Sequence, residues 1–355
     1  MVKKVILLLF IVAGIVAYSN KERIMRMFKN DTRTVNTSEV KLLFREDPTL
    51  TELMELLINK SIIKEAKGVD DYIQENSIDT TQFAAGKYII LSQTQLSDLV
   101  NGFVKGENGH GNAEVKVNVV FNRCRDIYDI GSNISKCIKA DSTEIVNCIY
   151  SAETLNKYHF TREQIPALFL PGDYQMYFDT DAKAFVAEMA VIFKEFWNDD
   201  RKQALNSIGL KTPSQATTLA SIVYAEQSKV PEEWPIIAKL YLNRIDKGIK
   251  LQSDPTFKFC WGRELDGVQR LLNRHKERDC PYNTYIYTGL PPGPIQITPP
   301  NVIDAVLHPA DVNYIFMCAK PEYSGKHNFT SSGRQHSINA SAFQKWIAAE
   351  QKRNR

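Results

Sequence analysis

The sequence lacks the marks of several large functional classes. No Gly-rich phosphate-binding loop occurs in its 355 residues, which argues against a nucleotide site. No Cys-x-x-Cys pair is present, and no Cys/His spacing matches a zinc site. Neither sign of charge is in excess: 44 basic and 41 acidic residues leave a net charge of +3. So balanced a chain does not have the concentrated basic face of a nucleic-acid binder, and no nucleic-acid partner is expected. Internal repeats and low-complexity tracts are missing as well. What is present is an ordinary globular composition, 43% apolar and 24% charged. It supplies enough apolar surface for sizeable cores, and the length suits two or three domains.

A long apolar run is also missing. Residues 5–18 form an uncharged stretch of 14, short of the roughly 20 that span a bilayer. Lys3 and Lys4 precede it, and Lys21, Arg23, Arg26 and Lys29 follow. Such flanks can snorkel and lengthen a short span. The run reads as an N-terminal membrane anchor over 1–20. A cleaved signal peptide and a buried helix stay open, although Ala17-Tyr18-Ser19-Asn20 is a poor cleavage site. The charge balance around the run does not by itself export the C-terminal bulk. Six cysteines are present. Cys260 and Cys280 bracket a polar insert, and a bridge between them would stabilise by about 3 kcal/mol. Buried free thiols are the other reading.

Residues 21–37 are polar and basic and read as a linker. From Thr49 apolar residues recur at helical spacing, with Thr49 or Thr51 as caps. A second helix is expected near 69–75, a strand over 86–91 and a helix over 95–103. Together they make a small unit over 38–105. A loop at 107–112 and an alternating strand at 115–121 follow. Short helices are expected over 123–165, a turn and strand over 169–178, and an amphipathic helix over 182–198. Residues 106–200 thus read as an intermediate α+β region, and 201–355 as a further domain.

That last domain carries the candidate chemistry. Thr212 can cap a helix, Pro213 fits its first position, and Gln215 completes a capping box. Leu219, Ile222, Val223 and Glu226 then fall at i, i+3, i+4 and i+7, which puts Glu226 on the apolar stripe. Burial raises a carboxyl pKa and keeps the proton available, as a general acid requires. Periodicity alone also allows a Glu at the stripe's edge with its head in water. A second helix begins at Pro231 and ends at Gly248. Leu251-Gln-Ser-Asp-Pro-Thr256 reads as a loop, because Asp-Pro favours a turn. The Pro/Gly-dense Gly289-Leu-Pro-Pro-Gly-Pro294 reads as a rigid wall, and the tyrosines and Asn283 before it offer stacking faces and hydrogen bonds suited to a sugar.

Six motifs in order, Leu219-Ala-Ser-Ile-Val-Tyr-Ala-Glu226, Leu242-Asn-Arg244, Leu251-Gln-Ser-Asp-Pro-Thr256, Tyr282-Asn-Thr-Tyr285, Gly289-Leu-Pro-Pro-Gly293 and His327-Asn-Phe329, resemble the endolytic murein transglycosylases, the YceG-like family. Ala85-Gly-Lys-Tyr88 and Leu170-Pro-Gly-Asp-Tyr174 extend the likeness upstream. The resemblance implies an α+β fold with a membrane anchor, a small LysM-like α/β unit at 38–105 and a mixed helix/strand catalytic domain at 201–355. It implies a single-pass protein of the cytoplasmic membrane with its bulk outside, cutting the MurNAc–GlcNAc β-1,4 bond of nascent peptidoglycan to leave 1,6-anhydroMurNAc ends. Cell-wall synthases are implied partners, and no cofactor or metal is implied. Many members carry two Glu on the first motif. Here Tyr224 stands at the first position, so the catalytic role falls to Glu226. Asn243, Gln252, Ser253, Asp254, Tyr282, Asn283, Tyr285, Pro292 and His327 are the implied substrate-binding or supporting residues. Departures are Ser253 in place of the commoner Thr, Thr298-Pro-Pro300, Gln335-His-Ser337 and the 260–280 insert, which resembles a variant with a helix before Tyr282. A non-catalytic, membrane-anchored glycan-binding or scaffold protein is the alternative.

Overall fold

The computed structural model describes residues 33–353 apart from 123, 266–267 and 269–271. The expected anchor at 1–20 lies outside the described residues. Among the described residues, no helix is long and apolar enough to cross a membrane. Helices dominate the described residues, and their strands form three two-stranded sheets. The chain divides into two compact units. Of the described residues, the first holds 33–118 together with 137–139 and 175–180, and the second holds the rest.

In the first unit, β1 (Val40–Phe44) pairs antiparallel with β2 (Gly86–Ile90), from Val40↔Ile90 to Phe44↔Gly86. Helices α1 (Leu50–Asn59) and α2 (Lys67–Glu75) lie between them in sequence, and α3 (Leu96–Phe103) follows. Thr49 caps α1 as expected: its hydroxyl accepts the Glu52 N–H, and Glu52 returns a carboxylate to the Thr49 N–H at 2.8 Å. Leu42, Leu53, Leu57, Val69, Tyr88, Leu99 and Phe103 fill this unit's own core. Strand β1 went unread in the sequence: it is only five residues long, and its exposed face pairs Lys41 with the apolar Leu43, so it does not alternate cleanly.

The second unit opens with the expected short helices α4 (Ile127–Ile134), α5 (Ser142–Ile149) and α6 (Ala152–Tyr158). Strands β3 (Val117–Val120) and β4 (Asp173–Met176) form the second sheet. Then come α7 (Ala182–Phe196), α8 (Asp199–Ser207), α9 (Pro213–Glu226) and α10 (Trp234–Asp246). Helices α11 (Asp254–Trp261) and α12 (Pro300–Leu307) precede a hairpin of β5 (Phe316–Ala319) and β6 (His327–Thr330), and α13 (Gly333–Arg353) closes the chain.

Helix α9 is the axis of the second core. Ser214 and every residue from Ala216 to Val223 are buried, against Trp197, Ile237, Tyr241, Val302 and Val306 among others. A helix enclosed on all sides does not need a stripe, so the expected amphipathic face is only part of its buried surface. Thr212 caps it through the Gln215 N–H. The capping box is not completed, however: the Gln215 side chain accepts from the Lys211 N–H instead, at 2.7 Å. Helix α10 ends as expected, with Gly248 at φ 63° just beyond its cap.

Candidate active site

Glu226 is the last residue of α9. Its carboxyl Oε1 accepts two hydrogen bonds, from the Tyr241 hydroxyl at 2.8 Å and the Ser253 hydroxyl at 2.5 Å. Burial pushes the Glu226 pKa above its ordinary 4.5, and the nearby charge of Asp254 acts the same way. The two hydroxyl donors and His327 pull against this without overcoming it. A carboxylate at a helix C-terminus also faces the negative end of the dipole. Tyr241 is buried and its pKa is raised well above 10, first by burial and then by Glu226, so it remains a donor.

Ser253 reaches Glu226 because its own helix does without it. It occupies the N-cap of α11, yet its hydroxyl makes no capping bond. The Ser253 N–H is held by the Thr284 hydroxyl at 3.0 Å, and its carbonyl accepts from Thr256 at 2.6 Å. Thr256 and Thr284 bond each other at 2.8 Å, which locks the first motif loop to the Tyr-Asn-Thr-Tyr segment. Residues 251–253 are loop as expected, but Asp254–Thr256, read as part of the same loop, start a helix. Pro255 fits the first turn, where no backbone N–H is needed, and the turn signal of Asp-Pro applies only to the entry. Gln252, just ahead, is exposed and sits at φ 51°.

Asp254 faces a different set. It accepts from the Tyr285 hydroxyl at 2.5 Å, with Lys276 Nζ at 3.6 Å from the same oxygen. Lys276 also donates to the Tyr285 oxygen at 3.1 Å. Burial, and then the bond to Asp254, push the Tyr285 pKa far up. Asn283 is fully buried; its amide donates to the carbonyls of Lys276 and Arg278, and its oxygen takes the Tyr285 N–H. Tyr282 is half-buried with its ring 4.5 Å from that of Phe259.

On the other side of Glu226, Gln227 and His327 converge on Glu233. The Glu233 carboxyl takes the His327 N–H at 2.8 Å, lies 2.7 Å from His327 Nδ1, and accepts from Gln227 at 3.0 Å. Burial alone would raise the Glu233 pKa, but these donors outweigh it and the pKa is lowered. An ionised carboxyl at this distance favours the tautomer with the proton on Nδ1.

Asn243 and Arg244 brace the site. Asn243 donates to the carbonyls of Val312 and Tyr314, both at 3.0 Å. Buried Arg244 spreads its fork over the carbonyls of Ile315, Lys250 and Leu251 at 2.6–3.0 Å. The Pro/Gly loop is pinned to α9: Ile295 N–H donates to the Ser221 hydroxyl, and the Gln296 amide to the Ser221 carbonyl. Gly293 has no room for a side chain, since a Cβ there would meet the Glu163 carbonyl oxygen at 1.9 Å. Pro292 is exposed and lines a separate groove with Lys211 and Gln215.

The structure therefore gathers Ser253, Asp254, Tyr285 and His327 around Glu226, turns Asn243 and Asn283 into backbone braces, and sets Pro292 apart. Tyr241, Glu233, Gln227 and Lys276 belong to the site but were not read from the sequence. Tyr241 stands fifteen positions after Glu226 on the next helix, and only packing of α9 on α10 brings the two together. A groove of about 560 Å³ is lined by Tyr224, Ala225 and Ser228, which are chain neighbours of Glu226, by Pro255 next to Asp254, and by Arg125 and Gln296; the Glu226 carboxyl itself is not part of its lining. A larger groove of about 860 Å³, around Lys239, Asn243 and Tyr314, includes neither Glu226 nor its partners. The smaller one is the better candidate for a ligand, because the residues flanking Glu226 and Asp254 in the chain line it.

Comparison with known proteins places this geometry in a family. The endolytic murein transglycosylase of Bacillus subtilis (strain 168) is 35% identical over 133 residues, covering 38% of this chain and 34% of that relative. The chain thus matches about a third of that relative's length. The crystal structure of a yceG-like protein from Listeria monocytogenes aligns with 85% of this chain and 99% of its own, at a TM-score of 0.53 and 21% identity, a likeness of fold. The YceG-like family model matches residues 43–342. The chain belongs to the YceG-like family.

Proposed function

We propose that this protein is an endolytic murein transglycosylase that cleaves the MurNAc–GlcNAc β-1,4 bond within peptidoglycan strands, with Glu226 as its acid and base. The observation that carries the reading is the Glu226 carboxyl: raised in pKa by burial and held on one oxygen by Tyr241 and Ser253, with its chain neighbours Tyr224 and Ala225 lining a groove. The name borne by the Bacillus subtilis relative supports it.

One carboxyl suffices for such a reaction. Glu226 gives its proton to the glycosidic oxygen as the C1–O bond breaks. The C6 hydroxyl of the same MurNAc attacks C1, and its proton passes to the carboxylate, which restores the acid and leaves a 1,6-anhydro ring. A hydrolase uses a second carboxylate to activate water or to act as nucleophile. Here the nucleophile is tethered, so its effective concentration is high and no water has to be held. Asp254, the nearest motif carboxyl, is already engaged by Tyr285 and Lys276, which suits positioning and electrostatic support. Gln252, Tyr282 and His327 border the site and are candidate sugar contacts.

Two finer readings accompany this one. The strand–helix–helix–strand order of residues 40–90 supports a LysM-like glycan-binding role for the first unit. The uncharged run at 5–18 supports tethering to the cytoplasmic membrane, with the bulk on the outer side.

Incubation of the full chain with peptidoglycan tests the reaction. Mass spectrometry should find anhydromuropeptides, and Glu226→Gln should reduce their rate of release by about 10²–10⁴-fold, the usual contribution of a positioned acid/base. Reducing, hydrated ends alone would make the enzyme a muramidase. Unchanged release by Glu226→Gln would remove Glu226 from the mechanism.

A further inference from the structure

The first unit contains a cluster that the reaction does not use. One ligand atom from each of His110, Glu114 and Asp179 lies within 4.8 Å of the other two. All three residues belong to that one unit. The Glu114 side chain has no solvent exposure, and those of His110 and Asp179 have 25% and 17%. His110 Nδ1, Glu114 Oε2 and Asp179 Oδ1 are buried, and among the described residues none has a properly aligned hydrogen-bond partner. Nδ1 of His110 is 2.6 Å from Oδ1 of Asp179, a close approach without the alignment of a hydrogen bond, and 3.7 Å from Oε2 of Glu114, too far for one. Buried polar atoms of this kind are rarely left without a partner.

The surroundings hold each group in place. Glu114 Oε1 accepts the Phe178 N–H at 3.0 Å, which turns Oε2 toward the other two groups. Gly86, at φ 140°, lies against the Glu114 carboxyl; a Cβ there would come within 2.4 Å of its carbon, so only glycine leaves room. The His110 ring stacks on Tyr177 with centroids 4.0 Å apart, and the His110 carbonyl is fixed by the Gly106 N–H at 2.8 Å. The Tyr88 hydroxyl is committed to the carbonyls of Ala84 and Ala85 and does not compete. Burial, with the charge of Asp179 added, pushes the Glu114 pKa up to about 7, an ionisation cost that a bound dication would reverse.

We propose that His110, Glu114 and Asp179 form a binding site for one zinc(II) ion. One imidazole nitrogen and two carboxylate oxygens are a zinc ligand set, and a fourth position remains for water. Ligand atoms at tetrahedral zinc sit roughly 3.4 Å apart when each bond is about 2.0–2.1 Å long, and the separations seen here bracket that value. The ion would clamp the 106–114 turn to the 175–180 segment, a structural role separate from Glu226. Sequence spacing did not reveal the site, because His110 and Glu114 come from a turn and Asp179 from a distant segment.

The test uses the full chain, loaded with zinc chloride and desalted. Atomic emission should find one zinc per chain, and chelation with EDTA should lower the unfolding temperature. His110→Asn, at a partly exposed position, should weaken zinc binding by more than the roughly 10–100-fold that loss of a mere outer-shell partner costs. It should also abolish the response to EDTA while anhydromuropeptide release at saturating substrate is retained, which confirms folding. Asp179→Asn should repeat the loss where Glu114→Gln fails to fold. A chain that retains no zinc and unfolds at one temperature with zinc or EDTA overturns the proposal. So does parental zinc affinity in both His110→Asn and Asp179→Asn.

Discussion

At the residue scale the central fact is that Glu226 holds its proton more tightly in the folded chain than in the unfolded one. Below the ordinary carboxyl value of 4.5 both states are protonated and the site costs nothing. As pH rises through the higher folded value, the folded state bears an ionised carboxyl where burial opposes it, and stability falls. Glutamine never ionises, and its amide oxygen can still accept from Tyr241 and Ser253. Glu226→Gln should therefore unfold at a higher temperature than the parent at pH 7, with the gap closing below pH 4.5; calorimetry across that range decides. The neighbours set where the proton is lost. Ser253 lowers the Glu226 pKa and Asp254 raises it. The alkaline limb of kcat/KM reports loss of the acid's proton. Ser253→Ala should move that limb to higher pH and Asp254→Asn to lower pH. Shifts of the same sign in both variants would mean that the limb belongs to another group. The Glu itself was legible from its helical phase and its motif, whereas Tyr241 was not, since a Tyr on a neighbouring helix reads as core until the helices are packed.

At the scale of elements, the site depends on how three helix ends meet. The C-terminus of α9 presents Glu226, the N-terminus of α11 presents Ser253, and the last turn of α10 supplies Arg244, which ties down the backbone between the last two. The ends of α9 and α10 were readable because caps and terminal glycine leave local signatures at Thr212 and Gly248. The start of α11 was misread because Asp-Pro signals a turn, and a helix entry satisfies that signal as well as a loop does. The role of Arg244 was hidden for another reason: its partners are backbone carbonyls of residues 250–251 and 315, and no sequence pattern marks a carbonyl. Arg244 bonds several acceptors with one rigid planar fork, which a lysine ammonium cannot copy. Arg244→Lys should cost about 1.5–3 kcal/mol in chemical denaturation, the typical worth of hydrogen bonds to a charged donor. It should also depress kcat more than it changes KM, because the loosened segment carries Ser253. A parental unfolding midpoint for Arg244→Lys would show that the carbonyls find other donors.

At the scale of the whole molecule, two compact units with separate apolar cores account for the chain's length and composition. The sequence indicated more than one domain, with stretches at 38–105, 106–200 and 201–355; that 137–139 and 175–180 group with the N-terminal unit was not legible, since this rests on three-dimensional contacts that no local composition shift records. It also left the cysteines undecided, and the structure resolves one pair: Cys260 and Cys280 form a disulfide with Cα atoms 6.0 Å apart. The bridge closes the insert that leads into the Tyr-Asn-Thr-Tyr segment, so it bears on Thr284 and Tyr285 and through them on Ser253 and Asp254. Closing a loop of this length restricts the unfolded chain by about 3 kcal/mol in the chain-entropy account. All four tryptophans, Trp197, Trp234, Trp261 and Trp346, fall in the second unit, so their fluorescence reports its unfolding. Dithiothreitol should shift the tryptophan-detected transition to lower denaturant by that amount. The double variant Cys260→Ser/Cys280→Ser should start from the shifted position and ignore the reductant. An oxidised parent and a reduced parent with the same midpoint would mean that the insert is already ordered by its own contacts, such as the Trp261 indole bonded to the His275 carbonyl at 2.8 Å.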